Sequence, residues 1–249
     1  MTDYLRADFS QSRFEEVDFS RSRFHNVYFT DTVIRGAWLQ RVEVDGYIDD
    51  VRINGVDVGP LIEAELDRRD PDRMLLRSTD AEGLRTAWNV VVRRWDPVVQ
   101  RARSLPEELL HERVDGEWSF IETVRHLVFC IDAWVLRAVL GNAAPFHPLG
   151  LVHSEMPGDT PLVPHDTEAR PSLDEILAVR TERMATVARA LDELTDEQLD
   201  ASTQPVLEPG YPASESFAVR RCFNTVVNEE WLHRAYAERD LARLEERSK

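Results

Sequence analysis

The sequence predicts an α+β chain in two parts, a short β-solenoid followed by a bundle of four long helices. Three patterns carry that expectation. Residues 7–46 repeat with a period of five, and residues 42–58 alternate apolar and polar around two turn dipeptides. From about Thr79 onward, apolar residues recur at helical spacing behind Ser/Thr-x-x-Glu starts.

The centres of the repeat are Phe9, Phe14, Phe19, Phe24, Phe29, Ile34, Leu39 and Val44. Two positions before each stands a small or β-branched residue: Ala7, Ser12, Val17, Ser22, Val27, Thr32, Ala37 and Val42. An α-helix is excluded, because a step of five turns the side chain by about 140° per repeat. An ordinary strand is excluded too, since an odd period would alternate faces. A solenoid whose every coil buries the same positions satisfies the pattern. In these residues the segment resembles the pentapeptide-repeat proteins, whose fold is a right-handed four-sided β-helix with four repeats to a coil. The resemblance implies an N-terminal short right-handed pentapeptide-repeat β-solenoid of about two coils. Some members mimic DNA; two coils are short for a duplex, and a structural cap is the preferred expectation.

Between Val42 and Val58, Asp45-Gly46 and Asn54-Gly55 are tight-hairpin dipeptides, so short strands should close the solenoid. Pro60 opens a short helix to Arg69, and Asp70-Pro71-Asp72 reads as a linker. The domain expectation is therefore 1–72 for the solenoid with its closing hairpin and short helix, and 73–249 for the helical part. Thr79-Asp-Ala-Glu82 reads as a capping box for a helix over about Asp80–Ser104. Ser119-Phe-Ile-Glu122 opens a second helix, Phe120–Leu140, and Ser172-Leu-Asp-Glu175 a third, to about Leu194. A fourth runs from about Ser216 to Glu246. The intervening stretches, Gly141–Pro171 and Thr195–Ser214, are long loops, of the kind that are usually functional or mobile. Four long helices with long crossovers make a four-helix bundle.

Composition sets bounds. Hydrophobic content of 43% and charged content of 31% describe a globular chain with material for a sizeable core. The N-terminus is not a signal peptide, no apolar run reaches spanning length, and Cys130 and Cys222 are the only cysteines. A cytoplasmic protein without a disulfide framework is expected, with no membrane partner. A net charge of −16 argues against direct nucleic-acid binding. The oligomeric state is left open, a homodimer being one option.

The chemistry gathers on the last helix, where Cys222, Val226, Glu229, His233 and Tyr236 form one stripe. The stripe starts apolar and should face inward, yet it carries a carboxylate and an imidazole one turn apart. An unpaired buried carboxylate costs several kcal/mol. A divalent metal shared by Glu229 and His233 would compensate it; a Glu–His ion pair or a rotated helix fits the same spacing. On the second helix, Arg125 and Asp132 mark a solvent face, and His126 lies about 100° away from Arg125 among apolar residues. Cys130 and Cys222 read as small core hydrophobes. Trp118 reads as a staple under the second helix, and Arg220 and Arg221 as exposed. His153 and His165 could border the site, though loop histidines are more often solvated. Glu230 competes with Glu229 but falls off the buried stripe.

Glu117-Trp118-Ser119-Phe-Ile-Glu-Thr-Val-Arg-His126-Leu127, followed by Asn228-Glu229-Glu-Trp-Leu-His233-Arg, resembles the DinB/YfiT-like superfamily. The resemblance spans roughly residues 78–246 and implies a DinB-like four-helix bundle with a three-residue metal site. Carried across, the ligands are His126, Glu229 and His233. Most members use three histidines, and the His, Glu, His set is closer to mycothiol-dependent maleylpyruvate isomerase. The resemblance implies a divalent metal, zinc foremost with nickel or iron as alternatives, and a low-molecular-weight thiol cofactor such as mycothiol. The partners would be a small-molecule thiol and an electrophilic substrate, and the activity S-transfer or thiol-dependent isomerisation. The rival is a non-enzymatic interaction protein with an acidic solenoid and a vestigial metal site.

Overall fold

A computed structural model of the chain describes residues 3–153, 156–158 and 160–247. The chain divides at Ile48/Asp49. The hairpin and short helix, grouped with the solenoid in the 1–72 expectation, therefore fall in the second unit.

In the first unit the five-residue period is written into the backbone. One residue per repeat has a left-handed conformation: Arg6, Gln11, Glu16, Arg21, Asn26, Asp31, Gly36 and Arg41, at φ 50–68°. Side chains with a Cβ pay roughly 1–2 kcal/mol for that conformation. It recurs because each kink returns the next aromatic ring to the same neighbour. Tyr4, Phe9, Phe14, Phe19, Phe24 and Phe29 form an edge-to-face ladder with centroids 5.5–5.9 Å apart, a spacing that favours aromatic quadrupoles. The β-structure expected here is absent: residues 3–48 contain no assigned strand. The five phenylalanine centres stay 47–58% exposed, so no sealed interior forms. A solenoid coil buries its faces only against coils above and below it, and eight repeats supply too few.

The second unit opens with a two-residue hairpin, β1 (Arg52–Ile53) paired antiparallel with β2 (Val56–Asp57) around Asn54-Gly55. Helix α1 (Gly59–Arg69) and a 3₁₀ segment (Pro71–Arg77) follow. The expected linker is docked rather than free: Asp70 and Asp72 hold the Arg94 guanidinium at 2.6–2.7 Å. Four long helices then pack side by side: α2 (Ala81–Arg103), α3 (Phe120–Ile131, continuing as a π-helical segment Asp132–Val139), α4 (Leu173–Glu193) and α6 (Val219–Arg247). A one-turn helix, α5 (Asp196–Leu199), precedes α6. The second and third expected starts are present as reciprocal capping boxes at Ser119/Glu122 and Ser172/Glu175. At α2 the cap is Asp80 and not Thr79; its carboxylate accepts from the Gly83 N–H at 2.7 Å. The α2 and α3 helices each contact both α4 and α6. Their shared core holds Leu84, Trp88, Trp95, Leu127, Val128, Ile176, Leu191, Phe223 and Leu241.

The expected solvent face of α3 does not exist. Arg125 and Asp132 are both fully buried, because the Gly141–Pro171 stretch lies over them. The Arg125 guanidinium donates to the carbonyls of Leu149 and Ala169, each at 2.9 Å, and to that of Asp166. Asp132 accepts from Arg183 Nε at 2.6 Å and from the His147 N–H at 2.8 Å. Arg137 does the same for the second loop, reaching the carbonyls of Glu208 and Pro212. Gly210 is required there, since a Cβ would stand 3.0 Å from the Arg137 Cζ. Charged residues seven apart on a helix thus anchor loops here instead of facing water.

Burial pushes the Asp132 carboxyl up to about 6, outweighing the pull of the His147 N–H and Arg183. A carboxyl raised on folding binds more protons folded than unfolded. Its contribution therefore grows as pH falls from above 6 toward 4, and fades as pH rises through 6. Wild type should gain up to about 3 kcal/mol relative to Asp132→Asn between about pH 7 and pH 4. Urea midpoints across that range measure it, and a constant difference would contradict the assignment.

Candidate metal centre

The Ser119/Glu122 box fixes where α3 begins and so sets the phase of His126, two turns in. The imidazole faces α6 with its side chain 7% exposed. Its Nδ1 lies 3.0 Å from the Leu151 carbonyl oxygen. A carbonyl can only accept, so Nδ1 carries the proton and Nε2 keeps its lone pair. That lone pair looks toward Glu229 Oε2 at 3.6 Å. From α6, His233 Nδ1 stands 3.2 Å from the same oxygen and 3.0 Å from the Glu229 carbonyl. The two imidazole centroids are 5.0 Å apart. One donor atom from each of His126, Glu229 and His233 lies within 4.8 Å of those from the other two. The structure thus brings together all three residues singled out in the sequence.

Protonation states suit the same end. Burial, and after it the neighbouring His233, push the pKa of His126 down against the pull of Glu229 and Leu151, keeping the ring neutral. Burial alone would raise Glu229; the pull of the adjacent His126 and His233 imidazoles outweighs it and holds the carboxyl well below its usual range. A neutral imidazole lone pair facing an ionised carboxylate is two acceptors with nothing between them. A divalent ion is the natural partner for two nitrogens and one oxygen so disposed. The donor set therefore fits such an ion, and three protein ligands would leave a further position open.

Aromatic rings wall the cluster. Trp118 lies 4.6 Å from His126 and stacks on His233 at 6.0 Å, centroid to centroid. It is therefore a cover over both imidazoles and not a staple under α3. Tyr236 meets His233 edge-on at 5.8 Å. Phe129 stacks on Phe146 and Tyr211, and His153 lies 5.5 Å from the Tyr211 ring. Of the loop histidines, His153 borders the aromatic wall, whereas His165 is hydrogen-bonded to the Thr160 carbonyl. Arg220 is engaged with the Thr79 carbonyl and Asp200.

Two readings of the sequence need correction. Glu230 does not fall off the buried face: it is 0% exposed, while the Glu229 side chain is 32% exposed. What removes Glu230 from the cluster is its ion pair with buried Arg180, whose guanidinium lies 4.4 Å over Trp95. Cys130 is more than a core filler, because its Sγ sits 3.3 Å from His126 Nε2. The signal for that contact was its i, i+4 spacing from His126. Burial pushes the Cys130 thiol well up, so it is protonated.

The family model described as the DinB superfamily matches residues 90–237, more than half of the chain and a span that includes all three donors. The model described as pentapeptide repeats matches residues 6–42 in eight copies. No curated protein and no solved structure matches the chain. Among the described residues, no helix is long and apolar enough to cross a membrane.

The full-length protein equilibrated with zinc should retain a stoichiometric ion by elemental analysis. His126→Ala and Glu229→Ala should each weaken retention by more than the roughly 10–100-fold typical of removing a residue that only braces a ligand. Circular dichroism should stay helical. Undiminished metal in both variants would remove the site.

Proposed function

The chain belongs to the DinB superfamily, and on that premise we propose that His126, Glu229 and His233 hold a divalent metal, zinc foremost, in a four-helix bundle of the DinB type. We further propose that the protein activates a low-molecular-weight thiol, mycothiol-like, for S-transfer or thiol-dependent isomerisation. The observation that carries the reading is the juxtaposition of the three side chains, with Nε2 of His126 unprotonated and Glu229 ionised. The Leu151 carbonyl holds the His126 proton on Nδ1 and turns Nε2 toward the site. Glu229 stays ionised in a half-buried position, and Trp118 shields both imidazoles from water. Bound there, a divalent ion would lower the pKa of a coordinating thiol and make it nucleophilic near neutral pH. Tyr211, Tyr236, Phe129 and Trp118 would present ring faces and edges to an electrophilic substrate.

The rival, an interaction protein working through an acidic repeat surface, loses its main support. Residues 1–48 carry eight acidic and six basic side chains, so nearly all of the −16 charge belongs to the helical unit.

Metal-loaded protein should accelerate conjugation of a generic electrophile to one of several small thiols. Chelation or Glu229→Ala should abolish the acceleration. Equal rates with and without metal, across all thiols tried, would overturn the thiol-activation reading while leaving the metal site standing.

A further inference from the structure

We propose that Cys130 is a fourth protein donor to the ion held by His126, Glu229 and His233. The inference rests on the metal reading above and deepens it. His126 and Cys130 are an i, i+4 pair on α3, as Glu229 and His233 are on α6, so each helix offers two donors one turn apart. The thiol is 5% exposed, and its sulfur contacts the nitrogen whose lone pair faces the other donors. In that contact the S–H donates to Nε2, and its proton occupies the place between sulfur and nitrogen that an ion would take. The sulfur lies outside the three-donor set that shares 4.8 Å, so coordination requires the four side chains to draw together around the ion.

Charge balance favours the fourth donor. A divalent ion with two neutral imidazoles and one carboxylate leaves one net positive charge beside a largely buried ring cluster. A thiolate brings that sum to zero, and an unpaired buried charge is unfavourable. The bookkeeping is one proton: the Cys130 thiol releases it to solvent as the sulfur binds, and nothing is oxidised or reduced. A closed four-donor site has a consequence for the proposed chemistry. A small external thiol would reach the ion only by displacing Cys130, which takes back a proton as it leaves.

Cobalt titration of the full-length protein in thiol-free buffer tests this by absorption spectroscopy. Stoichiometric cobalt with an intense near-ultraviolet sulfur-to-metal band is expected. The chain has only two cysteines, so the band should survive in Cys222→Ser and vanish in Cys130→Ser while cobalt is still bound. If Cys130→Ser fails to fold, the band in Cys222→Ser alone identifies the ligand. Stoichiometric cobalt without the band in wild type, or a band lost in Cys222→Ser, overturns the inference and leaves the three-residue site intact. No cobalt uptake by wild type would overturn the underlying metal reading instead.

Discussion

The attachment of the Gly141–Pro171 loop to α3 is the constraint on which the candidate site depends. Leu151 is bonded through both backbone groups, its N–H to the Arg125 carbonyl at 3.1 Å and its carbonyl to His126 Nδ1 at 3.0 Å. The first bond fixes the loop on the helix. The second fixes the imidazole proton, and with it the nitrogen that faces α6. Arg125 reinforces the arrangement through three loop carbonyls. A loop laid over a helix would otherwise bury backbone acceptors without partners, at a cost of roughly 1–3 kcal/mol each. Arginine meets that demand because its planar fork carries five donors, and fold and site are thereby secured by adjacent residues.

The last helix places two carboxylates side by side and the tertiary structure separates their roles. Glu230 turns into the core, where Arg180 neutralises it and ties α6 to α4. Glu229 turns toward α3, where the His126 imidazole meets it alongside that of His233 from its own helix. Breaking a buried pair such as Arg180–Glu230 generally costs about 3–5 kcal/mol, so that contact also fixes the rotation of α6 about its axis. The same rotation aims Glu229 and His233 at His126.

The repeat segment shows what a strong sequence period can and cannot establish. Its register is regular to the residue, with a left-handed position every five and a ladder of rings. Periodicity specifies which residues repeat a conformation. It does not supply the neighbouring coils that would turn the repeat into a closed β-structure.

The sequence by itself determined the long helices and their starts, because a Ser/Thr-x-x-Glu box and a 3.6-residue apolar period are local features read over a few turns. It also singled out His126, Glu229 and His233, the three side chains that the structure brings together, since they lie in motifs whose spacing survives in any helix. Only the tertiary structure decided that Arg125 and Asp132 are buried, that Glu230 is spent on Arg180, and that Cys130 and Trp118 border the site. Apart from Cys130, which meets His126 four residues before it, each of those outcomes depends on a partner between 8 and 115 residues away in the chain, such as Leu149 for Arg125 or His233 for Trp118. No helical period encodes which segment covers a charged face, and a buried arginine carrying carbonyl partners is indistinguishable by pattern from one in water.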